Sequence, residues 1–260
     1  MLLQDKVVII TGIGPGMGTK LARIAASEGA KIAICARNED RLTEVADDIK
    51  AQGGEVLAVP TDISDRAQCD RLVAETLKAY GRVDGLVNSA YKHIGFAPFE
   101  KADLAQWREC MDVTFFGTMG MSQAVIEPMK EAGGGAIVNI NTMAVKKPMP
   151  GEGGYAAAKS AIAGATRTIA KELGRYNIRV NSTFMGWLWG APVQGYVKHA
   201  AKAQGVPEET IIKGITQNIP LGVVPPDEDC AKTVLMFVSD YTKMVTGAAL
   251  DVNGGEHMSS

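Results

Sequence analysis

Tyr155 and Lys159 stand four residues apart in YAAAK, inside AAAKSAIAGATRTIAKEL, a stretch built mostly from strong helix formers. On a helix that spacing puts both side chains on one face about one turn apart, so the phenol and the ammonium point the same way. A neighbouring cation favours phenolate over phenol and is expected to lower the tyrosine from its usual pKa of about 10, giving an acid/base group usable near neutral pH. Thirteen residues upstream, Thr142 ends the apolar run GAIVNINT. Its hydroxyl is expected in the same cleft, at the carboxyl edge of a sheet where open α/β folds bind ligands.

A second kind of chemistry is written in TGIGPGMG, residues 11–18, which follows an apolar run and opens a helical pattern. Gly12 permits a tight turn, Gly16 lets backbone approach a pyrophosphate and Gly18 lets helix and strand pack closely, leaving N–H groups and the helix dipole facing an anion. The next apolar run, KIAICAR, stops on Ala36 and Arg37. An acidic residue at that strand end would bond a ribose 2′-hydroxyl; Ala36 cannot, and the donor fork of Arg37 suits a phosphate. The residues therefore lean to NADP, with NAD the alternative. Asp62, in VPTD, is placed to accept from an adenine amino group or, equally, to cap the following helix together with Ser64.

These groups need a scaffold, and the chain supplies one by alternating short β-branched runs with longer helical patterns. The runs KVVIITG, KIAICAR, VLAVPTD, GLVNSA, GAIVNINTM, IRVNSTF and AALDVNG predict seven strands. The expected architecture is α/β, one doubly wound parallel sheet with helices on both faces, in a single domain over 1–260. Glycines at 29, 53, 54, 81 and 133–135 punctuate the helix ends. Residues 187–226 break the rhythm, carrying Trp187, Trp189, two helical fragments and five prolines, and read as a substrate lid inserted in the domain.

Composition excludes several classes. With 46% apolar and 22% charged residues and a net charge of −2, the chain has the make-up of a globular protein and no basic footprint for nucleic acid. MLLQDKVVIITG is broken by Asp5 and Lys6 and does not read as a secretory signal, and no apolar run reaches 18 residues. A cytoplasmic protein with no membrane partner is expected. The four cysteines and three histidines are scattered, so no metal site is expected.

TGIGPGMG, Asp62, NSA at 88–90, Thr142, YAAAK, IRVNS at 178–182 and VTGAALDVNGG at 245–255 fall in the order and spacing of one family. Over essentially its full length the chain resembles a short-chain dehydrogenase/reductase. The resemblance implies hydride transfer between a nicotinamide cofactor and an alcohol or ketone. Tyr155 would be the acid/base, Lys159 would lower its pKa and hold the nicotinamide ribose, and Thr142 would bond the substrate oxygen. Cofactor contacts are implied at Gly12, Gly14, Gly16, Met17, Gly18, Arg37, Asp62, Ile63, Asn88, Ala90, Tyr155, Lys159 and Gly186. The chain also departs from the family pattern. Thr142 replaces the usual serine, Thr114 stands where an asparagine usually holds a relay water, Tyr91 replaces a glycine, Met185 precedes Gly186 in place of a proline, and Gly190 replaces a carboxamide-binding threonine. Thr114 is kept as a catalytic candidate. Tyr91, His93, Met149, Met185, Trp187 and Trp189, with Phe96, are expected around the mouth of the cleft and point to an apolar or aromatic substrate. Family habit implies a homo-oligomer, tetramer or dimer. The alternative is a non-catalytic dinucleotide-binding sensor or scaffold.

Overall fold

The structure, a computed structural model, describes residues 1–259; Ser260, the last residue of the expected domain, lies outside the described residues. The seven expected runs form seven strands: β1 (Val7–Thr11), β2 (Lys31–Cys35), β3 (Val56–Ala58), β4 (Gly85–Asn88), β5 (Gly135–Thr142), β6 (Ile178–Met185) and β7 (Ala249–Val252). They make one parallel sheet in the order β3-β2-β1-β4-β5-β6-β7. The helices are α1 (Met17–Ser27), α2 (Glu39–Ala51), α3 (Arg66–Tyr80), α4 (Leu104–Met111), α5 (Thr118–Ala124), α6 (Ile126–Glu131), α7 (Gly153–Leu173), α8 (Ala191–Gln204), α9 (Glu208–Thr216) and α10 (Asp227–Val238). No helix is long and apolar enough to cross a membrane.

The strands are covered on both faces, which is why β1 is apolar throughout instead of alternating with polar residues. Val8 and Ile10 point to a core shared with Leu21 of α1, Val45 of α2 and Val234 of α10. Ile9, between them, points to the opposite core with Leu72 of α3, Met121 of α5 and Leu173 of α7. Burying each such side chain contributes roughly 1.5–3 kcal/mol. Side-chain caps start three helices: Asn38 for α2, Asp65 for α3 and Asp103 for α4. Gly81 ends α3 at φ 77°, the left-handed region in which a Cβ is costly. Strand β3 is shorter than the run VLAVPTD, but Val59 and Thr61 still donate to the Ile34 and Ala36 carbonyls at 3.0 Å, and Pro60 between them is tolerated because β3 is the edge strand.

The sheet order reverses between β1 and β4, and the crevice above the carboxyl ends of the strands opens there. Residues 187–226 run as a loop into α8 and α9, which pack around their own apolar cluster of Val197, Ile215, Ile219 and Val224.

Candidate active site

The glycine loop is fixed by close contacts that leave no room for side chains at two of its positions. A Cβ on Gly12, whose φ is +77°, would lie 2.5 Å from the Ala90 backbone, and one on Gly18 would lie 2.1 Å from the Gly12 carbonyl. The N–H groups of Gly12 and Ile13 donate to the Cys35 carbonyl at 2.9 and 3.2 Å, docking the loop on the end of β2. Thr11 ties it to β4, its hydroxyl accepting from the Ser89 and Ala90 N–H groups. By contrast a Cβ on Gly14 would meet nothing within 4 Å, and one on Gly16 only Pro192 at 3.9 Å. The loop is thus packed at Gly12 and Gly18 and open at Gly14 and Gly16, a bare backbone cradle at the start of α1 that fits an anionic group.

Two cavities meet at this cradle, of about 450 and about 440 Å³, sharing Gly12, Gly14, Ser89, Tyr91 and His93. The second extends past the end of β2 and is lined by Arg37, Asp62, Ile63 and Ala90. Asp62 does not cap α3, since Asp65 does; its carboxylate instead accepts from the Ser64 N–H and hydroxyl at 3.0 and 2.6 Å. Those bonds, with Arg37 assisting, hold its pKa below the ordinary carboxylate value.

The first cavity holds the hydroxyl, phenol and ammonium. Thr142 is the last residue of β5, and Tyr155 and Lys159 rise from the first two turns of α7. Gly153 and Gly154 set the height of that helix, because a Cβ on either would lie 2.7 to 2.8 Å from the Trp107 ring of α4. Met17, Met149, Met185, Gly186 and Trp187 complete much of the wall. A Cβ on Gly186 would lie 2.7 Å from that of Asn253, so the exit of β6 is pressed against the chain beyond β7. The loop after β5 is tethered to the same region by Lys146 to Asp251 at 2.7 Å and Lys147 to Glu256 at 2.9 Å.

The electrostatics differ from the sequence expectation. Lys159 is 2% exposed and donates to the Ile140 carbonyl at 2.6 Å, and burial brings its pKa down to about 8. Its nitrogen lies 5.9 Å from the centre of the Tyr155 ring. Burial, with Tyr91 and Glu152 adding to it, pushes the Tyr155 phenol up, while the Thr142 hydroxyl works in the opposite direction. In the chain by itself, therefore, Tyr155 is a protonated phenol at neutral pH. Burial outweighs any lowering by Lys159, whose ammonium is turned to the Ile140 carbonyl.

A family model for short chain dehydrogenase matches residues 6–198 of this arrangement. The chain belongs to that family. It is 33% identical over 258 residues to an uncharacterized oxidoreductase of Thermotoga maritima, covering 98% of each chain. It is also 33% identical to the trans-4-hydroxycyclohexanecarboxylate dehydrogenase of Sinomonas cyclohexanicum, covering 98% of this chain and 93% of that one. The crystal structure of levodione reductase superposes with a TM-score of 0.90 at 29% identity, covering 98% of both chains. The chain is thus an oxidoreductase of the short-chain dehydrogenase family, whose members bind NAD or NADP.

Against that family pattern three expected residues do not reach the cleft wall. Thr114 is fully buried in a π-helical turn, Asp112–Gly117, where its hydroxyl accepts from the Lys92 N–H at 3.0 Å. It therefore anchors the segment carrying Tyr91 and His93. Asn88 turns into the protein, its amide donating to Ser122 at 3.0 Å and Asn139 at 2.9 Å. Trp189 packs its side chain on the α8–α9 cluster, while its backbone N–H donates to the Pro225 carbonyl at 2.8 Å. Tyr91, in the place of the usual glycine, lies against Tyr155 with ring centres 5.7 Å apart. Sequence reasoning passed over Glu152, Met143, Leu188, Val193 and Asp227, all of which line the first cavity. For Glu152 a signal existed, since it precedes Tyr155 by three residues and so shares its helix face.

Proposed function

We propose that this chain is an NADP-preferring oxidoreductase that interconverts a secondary alcohol and a ketone of moderate size with an apolar or aromatic body. The observation carrying the proposal is the continuity of the open cradle at Gly14 and Gly16 with a cavity floored by Thr142, Tyr155 and Lys159. The cradle fits the pyrophosphate of a dinucleotide, and Arg37 and Asp62 flank the space in which its adenosine would lie. When bound, a nicotinamide cofactor supplies or accepts hydride at the substrate carbon. Thr142 holds the substrate oxygen by a hydrogen bond, and Tyr155 delivers a proton to it in reduction or takes one in oxidation. Lys159, within reach of the same cavity, holds polar groups of the cofactor and steadies the charge that grows on the phenol.

Met143, Met149, Met185, Trp187 and Leu188 line the cavity and support the apolar substrate class. The name of one relative, which describes a substituted cyclohexane, supports a cyclic one. We further infer a cytoplasmic homo-oligomer, dimer or tetramer, which light scattering tests. Fluorescence titration with NADPH and NADH, followed by loss of nicotinamide absorbance on a panel of cyclic, aryl and steroid-like ketones, tests the activity. Tight cofactor binding without turnover of any ketone would replace the proposal with the sensor or scaffold reading.

A further inference from the structure

Glu152 is a carboxylate that the chemistry above does not use. It precedes the first turn of α7, the position from which a side chain ordinarily caps the helix, but it makes no capping hydrogen bond. It is 9% exposed and lines the same cavity as Tyr155 and Thr142. His93 faces it, with Nε2 to Oε1 at 3.9 Å, longer than a hydrogen bond. Nδ1 of His93 accepts from the Gly95 N–H at 3.1 Å, so a neutral imidazole carries its proton on Nε2, facing Glu152. Burial raises the Glu152 pKa and His93 opposes the rise.

The helix dipole alone does not account for this arrangement. It favours an acidic group at the N-terminus of α7, but places no demand that the group line a cavity without capping the helix. The segment 149–152 is held in place by Phe96 and Ala97, the Ala97 N–H donating to the Gly151 carbonyl at 3.1 Å. His93 in turn is wedged between Phe96 and Tyr155, with ring centres at 5.3 and 5.9 Å. Glu152 is thus a framed acceptor on the cavity wall, one helical turn from Tyr155 and not engaged in capping α7.

We propose that Glu152, backed by His93, is a substrate subsite that accepts a hydrogen bond from a hydroxyl or protonated amine carried across one ring from the reacting carbon, and that it rejects a carboxylate there. The proposal rests on the alcohol/ketone reading and narrows its substrate class. An apolar body occupies the methionine and tryptophan wall, the carbonyl meets Thr142 and Tyr155, and the distal donor meets Glu152.

Cyclohexanones bearing a methyl, hydroxyl, amino or carboxylate group at carbon 4 test it. Two readouts are used: kcat/KM for reduction with NADPH, and affinity for the matching cyclohexanols with NADP present, measured by calorimetry. A charge-assisted hydrogen bond makes the hydroxyl and amine favoured over methyl by about tenfold to a hundredfold in both readouts, with the carboxylate below methyl. A margin for the amine beyond the hydroxyl marks a cationic donor; equality marks a neutral one. Glu152→Leu removes the donor preference. Glu152→Gln, nearly isosteric and so the safer variant for folding, relieves the rejection of the carboxylate. Equal handling of methyl and hydroxyl by the parent, or an unchanged preference in both variants, overturns the subsite while leaving the reductase reading intact. Donor-selective binding without reduction of any ketone does the reverse.

Discussion

Replacing Lys159 by Met is expected to make the ligand-free protein more stable while removing its activity. A lysine that titrates at about 8 in the folded chain and at 10.5 when unfolded binds fewer protons folded than unfolded between those values. Stability then rises with pH across that window, because the cost of burying the ammonium disappears as the group becomes neutral. At about 1.36 kcal/mol per pKa unit, holding the charge at pH 7 costs about 3 kcal/mol. Methionine fills the space with an unbranched apolar chain, and the Ile140 carbonyl loses a donor worth about 1 kcal/mol. The variant should therefore gain about 2 kcal/mol at pH 7, or roughly 4–8 °C in Tm for a chain of this size. At pH 9.5 about 1.4 kcal/mol of the burial cost remains, which the lost hydrogen bond nearly offsets, so the two proteins should unfold at nearly the same urea concentration. Urea titrations at both pH values decide the matter. A variant less stable than the parent at pH 7, or a gap that does not change with pH, would refute the argument that the ammonium is held at a cost.

Tyr155→Phe should lower kcat by about 10² to 10⁴ while leaving the NADPH dissociation constant nearly unchanged, checked by rapid kinetics beside fluorescence titration. Because burial holds the Tyr155 proton, alcohol oxidation should rise with pH through the neutral and mildly alkaline range as phenolate is populated, and a flat profile would count against Tyr155 as the base. Arg37→Ala should weaken NADPH about tenfold to a hundredfold and NADH far less, an equal loss showing that Arg37 meets no phosphate. Gly14→Ala should keep the parent's Tm and lose cofactor affinity, whereas Gly18→Ala should lose stability outright, since its new methyl would meet the Gly12 carbonyl at 2.1 Å.

The scaffold was legible because strands such as β1 and β2 are short apolar, β-branched runs that alternate with helical patterns, and glycine or a polar cap marks where the chain turns. The same held for the glycine loop, whose meaning lies in consecutive backbone. The side chains were harder. The fate of the Thr114 hydroxyl depends on the Lys92 N–H, 22 residues away, and no local pattern announces that contact. Trp187 and Trp189 sit in an irregular segment with no period from which to read which ring faces the cleft, and only Trp187 does. Spacing placed Tyr155 and Lys159 on one face, but the direction of the Tyr155 shift follows from desolvation, and desolvation is a property of the assembled cavity.

The Lys147–Glu256 tether on the loop after β5, together with the press of Gly186 on Asn253, gives the final residues an influence far from where they sit in the chain. Cutting the polypeptide after Val252 would leave every hydride-transfer residue in place, yet it would unbuckle the wall carrying Met149 and Trp187. Such a shortened protein should hold dinucleotide and lose its grip on the second reactant, a lesion that an inventory of catalytic side chains would never locate.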